Sequence, residues 1–197
     1  MRRDEQILNA GIELYEQRQF SLALQVLRPQ ADGDDPVACF YSGRILELGL
    51  AGGKDPAAAA TYYERAATRG VHEASNNLGL MYLRGEGVPA DISRAMVLIE
   101  DAALSGNVDA QLSMAAQLCN VRRPGGPDRP QALAWSRLAA RSLDPDAVRN
   151  VAAIVAHSSS SELLTAESWT CILDRALSDR SAMAHSGATP EHALRLD

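Results

Sequence analysis

The residues that could carry chemistry in this chain are few and widely separated. The chain has four histidines: His72, His157, His185 and His192. None of them has a second histidine or a cysteine at the spacing of a metal site. Gly85 and Gly87 lack the Lys and Ser or Thr that follow in a phosphate-binding loop, and no strand precedes them. We therefore predict no catalytic set, no metal site and no cofactor site, and expect a protein that is not an enzyme.

Single reactive residues are better explained by packing than by catalysis. His72 stands at a predicted helix start, which favours a capping or surface role. Cys39 and Cys119 lie on predicted helices where a small apolar residue fits. Cys171 is the third cysteine of the chain. The three cysteines are far apart, so a disulfide framework is not expected.

Charge and hydropathy limit the class of partner. The formal net charge of -6 argues against nucleic acid or an anionic membrane as the main partner, and it favours a basic protein or peptide. No apolar run is long enough to cross a membrane, and no apolar signal core follows the arginines near the start. We expect a cytoplasmic protein, and the oligomeric state stays open.

The elements that position these residues are helices in pairs, best seen in residues 72–106. Apolar residues at helical spacing predict one helix over about residues 73–84 and a second after Asp91. Gly85 suits a left-handed helix end, and the Asp91 carboxylate suits a helix cap. A single helix hairpin buries only one face, so it requires neighbouring copies to complete a core.

Copies occur with a period of 36 residues. That step relates Gly79 to Gly43, Asp91 to Asp55, and the alanine pair at 102–103 to the pair at 66–67. The recurring small residues predict close packing of the two helices of each hairpin, with glycine or alanine facing alanine. The dipeptides Asp35–Pro36, Asp55–Pro56 and Asp144–Pro145 each predict the start of a helix.

Residues 74–95 carry the pattern A-x-x-x-L-G-x-M-Y-x-x-G-x-G-V-x-x-D-x-x-x-A, and A-A-x-x-G follows at 102–106. This pattern resembles a Sel-1-like repeat, a relative of the tetratricopeptide repeat, and the resemblance covers residues 5–144. It implies an all-α fold, a right-handed α/α superhelical solenoid of about five helix hairpins. The third copy departs from the pattern where VRRPGGP replaces the Gly-x-Gly-Val loop.

The predicted organisation is one continuous solenoid. It comprises a tetratricopeptide-like hairpin with a loop four residues shorter (1–34), Sel-1-like repeats (35–70, 71–106 and, divergent, 107–143), a C-terminal capping hairpin (144–184) and a tail (185–197). In the capping hairpin we expect inward residues Val148, Val151, Ala152 and Val155. Its second helix is expected to be capped by Ser161, to run from Glu162 to about Leu177, and to bury Trp169, Ile172, Leu173 and Ala176.

Superposition on the tetratricopeptide pattern, whose first helices line a concave groove, points to a partner-binding surface. Its predicted lining is Leu8, Ile12, Tyr15, Phe40, Arg44, Glu47, Leu48, Asn76, Leu80, Leu83, Arg84, Leu112, Ala116, Cys119 and Asn120. Phe40 and Asn76 are the preferred contacts, as an aromatic anchor and a directional amide. For the leucines the alternative is packing between hairpins. In the irregular loop, Arg122 and Arg123 either contact a partner or belong to a solvated insertion.

The resemblance implies an interaction module, because Sel-1-like proteins are generally of that kind. The first hypothesis is a cytoplasmic adaptor or regulatory scaffold that binds a partner peptide or helix in the groove. The alternative is a bacterial immunity protein that binds and neutralises a cognate toxin. An adaptor is expected to bind with micromolar affinity and an inhibitor with nanomolar affinity or tighter, and the sequence does not decide between them.

Overall fold

Ten α-helices make up the regular structure of residues 2–120 and 125–186, the part of the chain that the computed structural model describes. No strand occurs in those ranges. The helices are α1 (Arg2–Glu16), α2 (Phe20–Asp32), α3 (Pro36–Leu48), α4 (Pro56–Thr68), α5 (His72–Arg84), α6 (Ile92–Leu104), α7 (Val108–Leu118), α8 (Arg129–Ala140), α9 (Pro145–Ala156) and α10 (Ser160–Ser186).

Aspartates cap the helices where the sequence predicts them. The carboxylates of Asp35, Asp55, Asp91 and Asp144 each accept the backbone N–H three residues on, at 2.8 to 3.0 Å. Gly85 ends α5 in the left-handed conformation with φ +67°.

The loop between α1 and α2 has three residues and the loop between α3 and α4 has seven, which confirms the shorter first loop.

Each of the first three hairpins has a glycine at the closest approach of its helices. A Cβ at Gly11, Gly43 or Gly79 would lie 2.5 to 2.8 Å from side-chain carbons of Leu27, Tyr63 and Ile99 respectively. The expected alanine contact is present at Gly79, where a Cβ would also lie 3.0 Å from the Ala95 carbonyl oxygen, but no alanine is among the nearest contacts of Gly11 or Gly43. Large side chains lie across them, because a glycine leaves room for a whole branched or aromatic group against the helix backbone.

The chain divides into two compact units, residues 1–101 and 102–197. Unit 1 has a core that includes Leu27, Ile45, Tyr63, Leu78 and Met81, all almost fully buried. The core of unit 2 is built mainly on α8, and it includes Leu118, Leu133, Trp135 and Leu138.

Within unit 1 the first hairpin is joined to the next by polar contacts on the last turn of α2. The Cys39 thiol donates to the carbonyl oxygen of Ala31 at 3.4 Å. The Arg65 guanidinium donates to the same oxygen and, at 2.6 Å, to the Asp34 carboxylate. The Ala31 carbonyl also accepts the backbone N–H of Asp34 at 3.0 Å, so the two side-chain donors join an acceptor that already caps the end of α2.

The predicted inner face of α9 was wrong. Val148 is 50% exposed and Val155 38% exposed, while Ala147 and Ile154 are buried. α9 packs on α8 through the side that carries Ala147 and Ile154. Apolar residues occupy two sides of this helix, and the periodicity of α9 alone does not show which side packs on α8.

The last helix differs from its prediction at both ends. It begins at Ser160 and continues to Ser186, beyond the predicted end near Leu177. Ser159 takes the capping role expected of Ser161: its hydroxyl accepts the Glu162 N–H at 3.3 Å, and its own N–H donates to Glu162 at 2.7 Å. α10 packs on α8, which buries Ala166 and Leu173 and leaves Ile172 exposed. The tail from residue 187 lies outside the described residues.

Candidate partner-binding site

The predicted surface has its best-defined part on α3. Phe40, Arg44 and Glu47 follow each other at spacings of four and three residues, so they share one side of the helix, here called the α3 face. All three are half-buried. The guanidinium carbon of Arg44 lies 5.8 Å from the centre of the Phe40 ring, a cation–π contact. The structure therefore brings these three predicted residues together.

Glu47 is held by a tyrosine that the sequence did not single out as functional. The Tyr63 hydroxyl donates to Glu47 Oε2 at 2.7 Å, and Tyr63 itself has no exposed surface. Burial, followed by the Glu47 charge, raises the pKa of Tyr63 well above its usual value. The phenol therefore stays protonated and fixes the orientation of the carboxylate.

A line of aromatic rings continues from Phe40 towards the first hairpin. The Phe40 and Tyr41 ring centres are 5.4 Å apart, and Tyr41 and Tyr15 are 4.9 Å apart at an interplanar angle of 66°. Tyr15 in turn lies 5.4 Å from Phe20. All four rings are half-buried. Edge-to-face packing of this kind keeps the rings rigid.

α5 presents two buried polar atoms, one turn apart. Asn76 is 4% exposed, and its Oδ1 has no hydrogen-bond partner among the described residues. His72 Nδ1 is also buried and has no hydrogen-bond partner among the described residues. Because His72 precedes Asn76 by four residues, both side chains are on one side of α5. The expected capping role of His72 was wrong, because it is the first residue of the helix and Val71 occupies the cap position.

Three further predicted residues of unit 1 also lie on α5. Leu80 and Leu83 are half-buried, which leaves part of each leucine in contact with solvent. Arg84 is exposed and lies 3.8 Å from the Glu86 carboxylate, a surface ion pair of small energetic weight.

Other predicted contact residues belong to unit 2. Leu112 on α7 is half-buried and Asn120, which follows α7, is exposed. Arg122 and Arg123 lie outside the described residues, so the loop prediction is not tested.

Unit 2 also contains an apolar cleft of about 260 Å³, lined by Cys119, Pro127, Arg129, Ala153, Ile154 and His157. Burial raises the pKa of the Cys119 thiol, and the Arg129 charge only partly opposes this. A protonated thiol is a poor nucleophile, so the cleft is a weak candidate for covalent chemistry. His157 Nδ1 lies 2.8 Å from the Ala153 carbonyl oxygen.

Other chemistry has little support in the described part of the chain. No group of three or more potential metal ligands occurs there, and the cysteines are free thiols. Among the described helices none is both long and apolar enough to cross a membrane.

The sequence pointed to Tyr15 as part of the groove lining, but it did not single out Tyr41, Tyr63 or His72 as parts of this surface. Tyr63 had a signal, because its position one period before Ile99 marks it as a residue that packs on the glycine of its hairpin. The contact between Tyr15 and Tyr41 joins two hairpins across 26 residues, and no periodic pattern predicts it.

Comparison with known proteins gives relatives with the same repeats. The chain is 30% identical over 134 residues to an uncharacterized protein of Neisseria meningitidis serogroup B, a match that covers 68% of this chain and 27% of the relative. The crystal structure of a Sel1 repeat protein from Oxalobacter formigenes is 29% identical with a TM-score of 0.62, over 72% of this chain and 58% of that one.

A protective antigen of uropathogenic Escherichia coli strains, whose crystal structure displays an SLR fold, is 18% identical with a TM-score of 0.47. That match covers 89% of this chain and 53% of the antigen. The chain thus spans about a quarter of the Neisseria relative and little more than half of each solved structure.

The Sel1 repeat family model matches residues 36–71, 72–107 and 108–142, more than half of the chain. With the helices described above, this confirms the predicted all-α helical-repeat fold. Sel1 repeat proteins are generally non-catalytic scaffolds for protein interactions. The chain belongs to the Sel1 repeat family.

Proposed function

We propose that this protein is a cytoplasmic adaptor or regulatory scaffold, and that its partner contacts unit 1 through the α3 face and the side of α5 that carries His72 and Asn76. The family supports protein binding in general. The buried polar atoms of α5 support this location for the contact. The net charge of -6 favours a basic partner.

The observation that carries the proposal is the pair formed by His72 Nδ1 and Asn76 Oδ1. A buried polar atom without a partner costs about 1–3 kcal/mol, so two of them on one helix side call for an explanation. Ser42 and Ser136 also have a hydroxyl oxygen without a partner in the described ranges, but both residues are fully buried. His72 and Asn76 keep some contact with the surface.

Because both atoms are themselves buried, the two side chains must turn towards the surface before a peptide group of a partner can satisfy them. Its N–H would donate to Asn76 Oδ1, and its carbonyl oxygen would accept from His72 when Nδ1 carries the proton. The half-buried leucines Leu80 and Leu83 would supply apolar contact beside it. The ring of Phe40 and the fixed carboxylate of Glu47 offer further contacts on the α3 face.

The experiment compares capture by the wild-type protein and by Asn76→Leu. Both are immobilised and exposed to lysate of the native host, and the recovered proteins are quantified by mass spectrometry. Asn76→Leu removes the amide but keeps the side-chain volume, so we expect at least tenfold less partner with an unchanged or higher melting temperature. Asn150→Leu in α9 is the matched control and should capture normally.

Equal capture by wild type and Asn76→Leu would place the contact elsewhere. The double variant Phe40→Ala with Asn76→Ala should also bind weakly while far-ultraviolet helicity is retained. Because Phe40 packs against the core of unit 1, the single Asn76→Leu change is the cleaner test.

A titration of the recovered partner separates the adaptor from the immunity protein. Micromolar affinity, or several partners that share one short segment, supports the adaptor. A single toxin-like protein held with nanomolar affinity or tighter would support the inhibitor instead.

A further inference from the structure

Unit 1 repeatedly places a cation over an aromatic ring. The guanidinium carbons of Arg44, Arg65 and Arg94 lie 5.8, 5.6 and 4.7 Å from the ring centres of Phe40, Tyr62 and Tyr82 respectively. These distances are within the range of cation–π attraction. The half-buried ring of Phe40 and the buried rings of Tyr62 and Tyr82 are thus covered by the chain's own arginines in the described part of unit 1.

Tyr15 and Tyr41, here called the tyrosine pair, are the exception. Both rings are half-buried, and among the described residues no cation lies over either of them. Glu16 follows Tyr15 directly, and Glu73 belongs to the first turn of α5; both carboxylates are exposed. Burial, followed by the charge of Glu16, raises the pKa of Tyr41, and Glu73 adds to the rise. Both carboxylates therefore act on the Tyr41 ring through their charge.

We propose that the tyrosine pair binds a lysine or arginine side chain of the protein partner. This inference rests on the proposed function and specifies the chemistry of the partner. The faces of the two rings attract a cation through their quadrupole, and Glu16 and Glu73 add Coulomb attraction. A neutral side chain would gain neither contribution, and an acidic one would be repelled.

The only described cation acting on Tyr41 is Arg44, which opposes the rise in pKa. Arg44 is engaged with the Phe40 ring, three residues along the helix from Tyr41. Its charge disfavours a second cation at the Phe40 end of the ring line. The incoming side chain therefore binds at the Tyr15 end, next to Glu16.

The opposing interpretation is that the tyrosine pair only packs the first hairpin against the second. Tyr15 also contacts Phe20, so some structural role is certain. A packing role alone predicts no preference for charge. Selectivity among small probes therefore decides between the two interpretations without knowledge of the partner.

The probes are four capped tripeptides with Arg, Lys, Gln or Glu between two glycines, added to the full-length protein with ring-labelled tyrosine and observed by NMR. The Arg and Lys peptides should shift the Tyr15 and Tyr41 signals saturably, at millimolar concentration. The Gln and Glu peptides should shift them at least fivefold less. Tyr62 and Tyr82, already covered by arginines, are internal controls and should move little.

Glu16→Gln with Glu73→Gln should weaken Arg-peptide binding at least threefold, and salt should weaken wild-type binding by screening. The matched control is Glu5→Gln with Glu167→Gln, which removes the same charge at two exposed positions and should change binding less than 1.5-fold. Melting temperatures of both variants should stay close to wild type, because these carboxylates are exposed.

Equal shifts by the Gln and Arg peptides, or normal Arg-peptide binding by Glu16→Gln with Glu73→Gln, would overturn the proposal. Neither outcome would affect the proposed function, which depends on Asn76→Leu and partner capture. If the peptides behave as expected but Asn76→Leu captures normally, the cation site stands and the α5 contact fails.

Discussion

At the scale of single residues, the smallest side chains decide how closely the helices approach. At Gly79 a Cβ would lie 2.6 Å from Ile99 Cγ1 and 3.0 Å from the Ala95 carbonyl oxygen, so neither a side chain nor the backbone leaves room. By contrast, Gly53 has open space on all sides. Two glycines of neighbouring repeats therefore have opposite tolerance for substitution.

We expect Gly79→Leu to lower the free energy of unfolding by about 3 kcal/mol or more, at the upper end of the overpacking range. Thermal and urea denaturation measure the change, and Gly53→Leu is the control with an expected effect within about 0.5 kcal/mol. An unchanged melting temperature for Gly79→Leu would contradict the close packing of α5 on α6.

Tyr63 predicts a specific response to alkaline pH. Its pKa is raised in the folded state, so the protonated phenol stabilises the fold fully below the unfolded pKa of about 10. Above that value the stabilisation is lost progressively as the pH rises towards the folded pKa, by up to about 1.4 kcal/mol per pH unit.

Tyr63→Phe should therefore flatten the fall in stability between about pH 10 and 11, measured by urea denaturation across that range. Near neutral pH the variant loses the hydrogen bond to Glu47 and should be less stable by about 1 kcal/mol. Tyr82→Phe is the comparison, and a parallel decline in wild type and Tyr63→Phe would show that Tyr63 is not the group responsible.

At the scale of the helices, residues within one turn determine where a helix begins and ends. Packing on other helices determines which side of it is buried. Asp91 accepts the Arg94 N–H at 2.9 Å and begins α6, and glycine ends α3 and α5 in the left-handed conformation. A cap acts within one turn of its own helix. This explains why helix starts could be predicted from the sequence alone.

Asp91→Ala should cost about 1 kcal/mol of stability, and Asp91→Asn should retain most of it because an amide oxygen also caps. The measurement is the shift of the urea midpoint at constant slope. Equal loss in both variants would mean that the charge near the helix start matters more than the hydrogen bond.

The buried sides of α9 and the extent of α10 could not be predicted in the same way. Val148 and Val155 form a regular apolar stripe, yet α8 packs against the side that carries Ala147 and Ile154. The same limit applies to the candidate site. Periodicity led to Phe40 and Asn76, whereas the contact of Tyr15 with Tyr41 depends on the packing of separate hairpins.

At the scale of the whole molecule, the two compact units carry different chromophores. All five tyrosines lie in residues 1–101, and both tryptophans, Trp135 and Trp169, lie in residues 102–197. Tryptophan fluorescence therefore reports on unit 2, and labelled tyrosine signals report on unit 1. Each unit has its own probe without any substitution.

Leu133 is 1% exposed in the core of unit 2, so Leu133→Ala should cost about 2–5 kcal/mol there. We expect the tryptophan-reported unfolding midpoint to fall further than the tyrosine-reported one, because energies in repeat proteins are largely local. Identical shifts of both midpoints would show that the chain unfolds as one cooperative body.

The double hydrogen bond on the Ala31 carbonyl has a consequence for how such a protein can grow or shrink in evolution. The family match begins at residue 36, yet Cys39 and Arg65 of the first matched repeat both donate to the hairpin before it. A gene shortened to the matched repeats would encode a thiol and a guanidinium without their acceptor. We therefore expect the first hairpin and the first repeat to be retained together when such a chain is shortened.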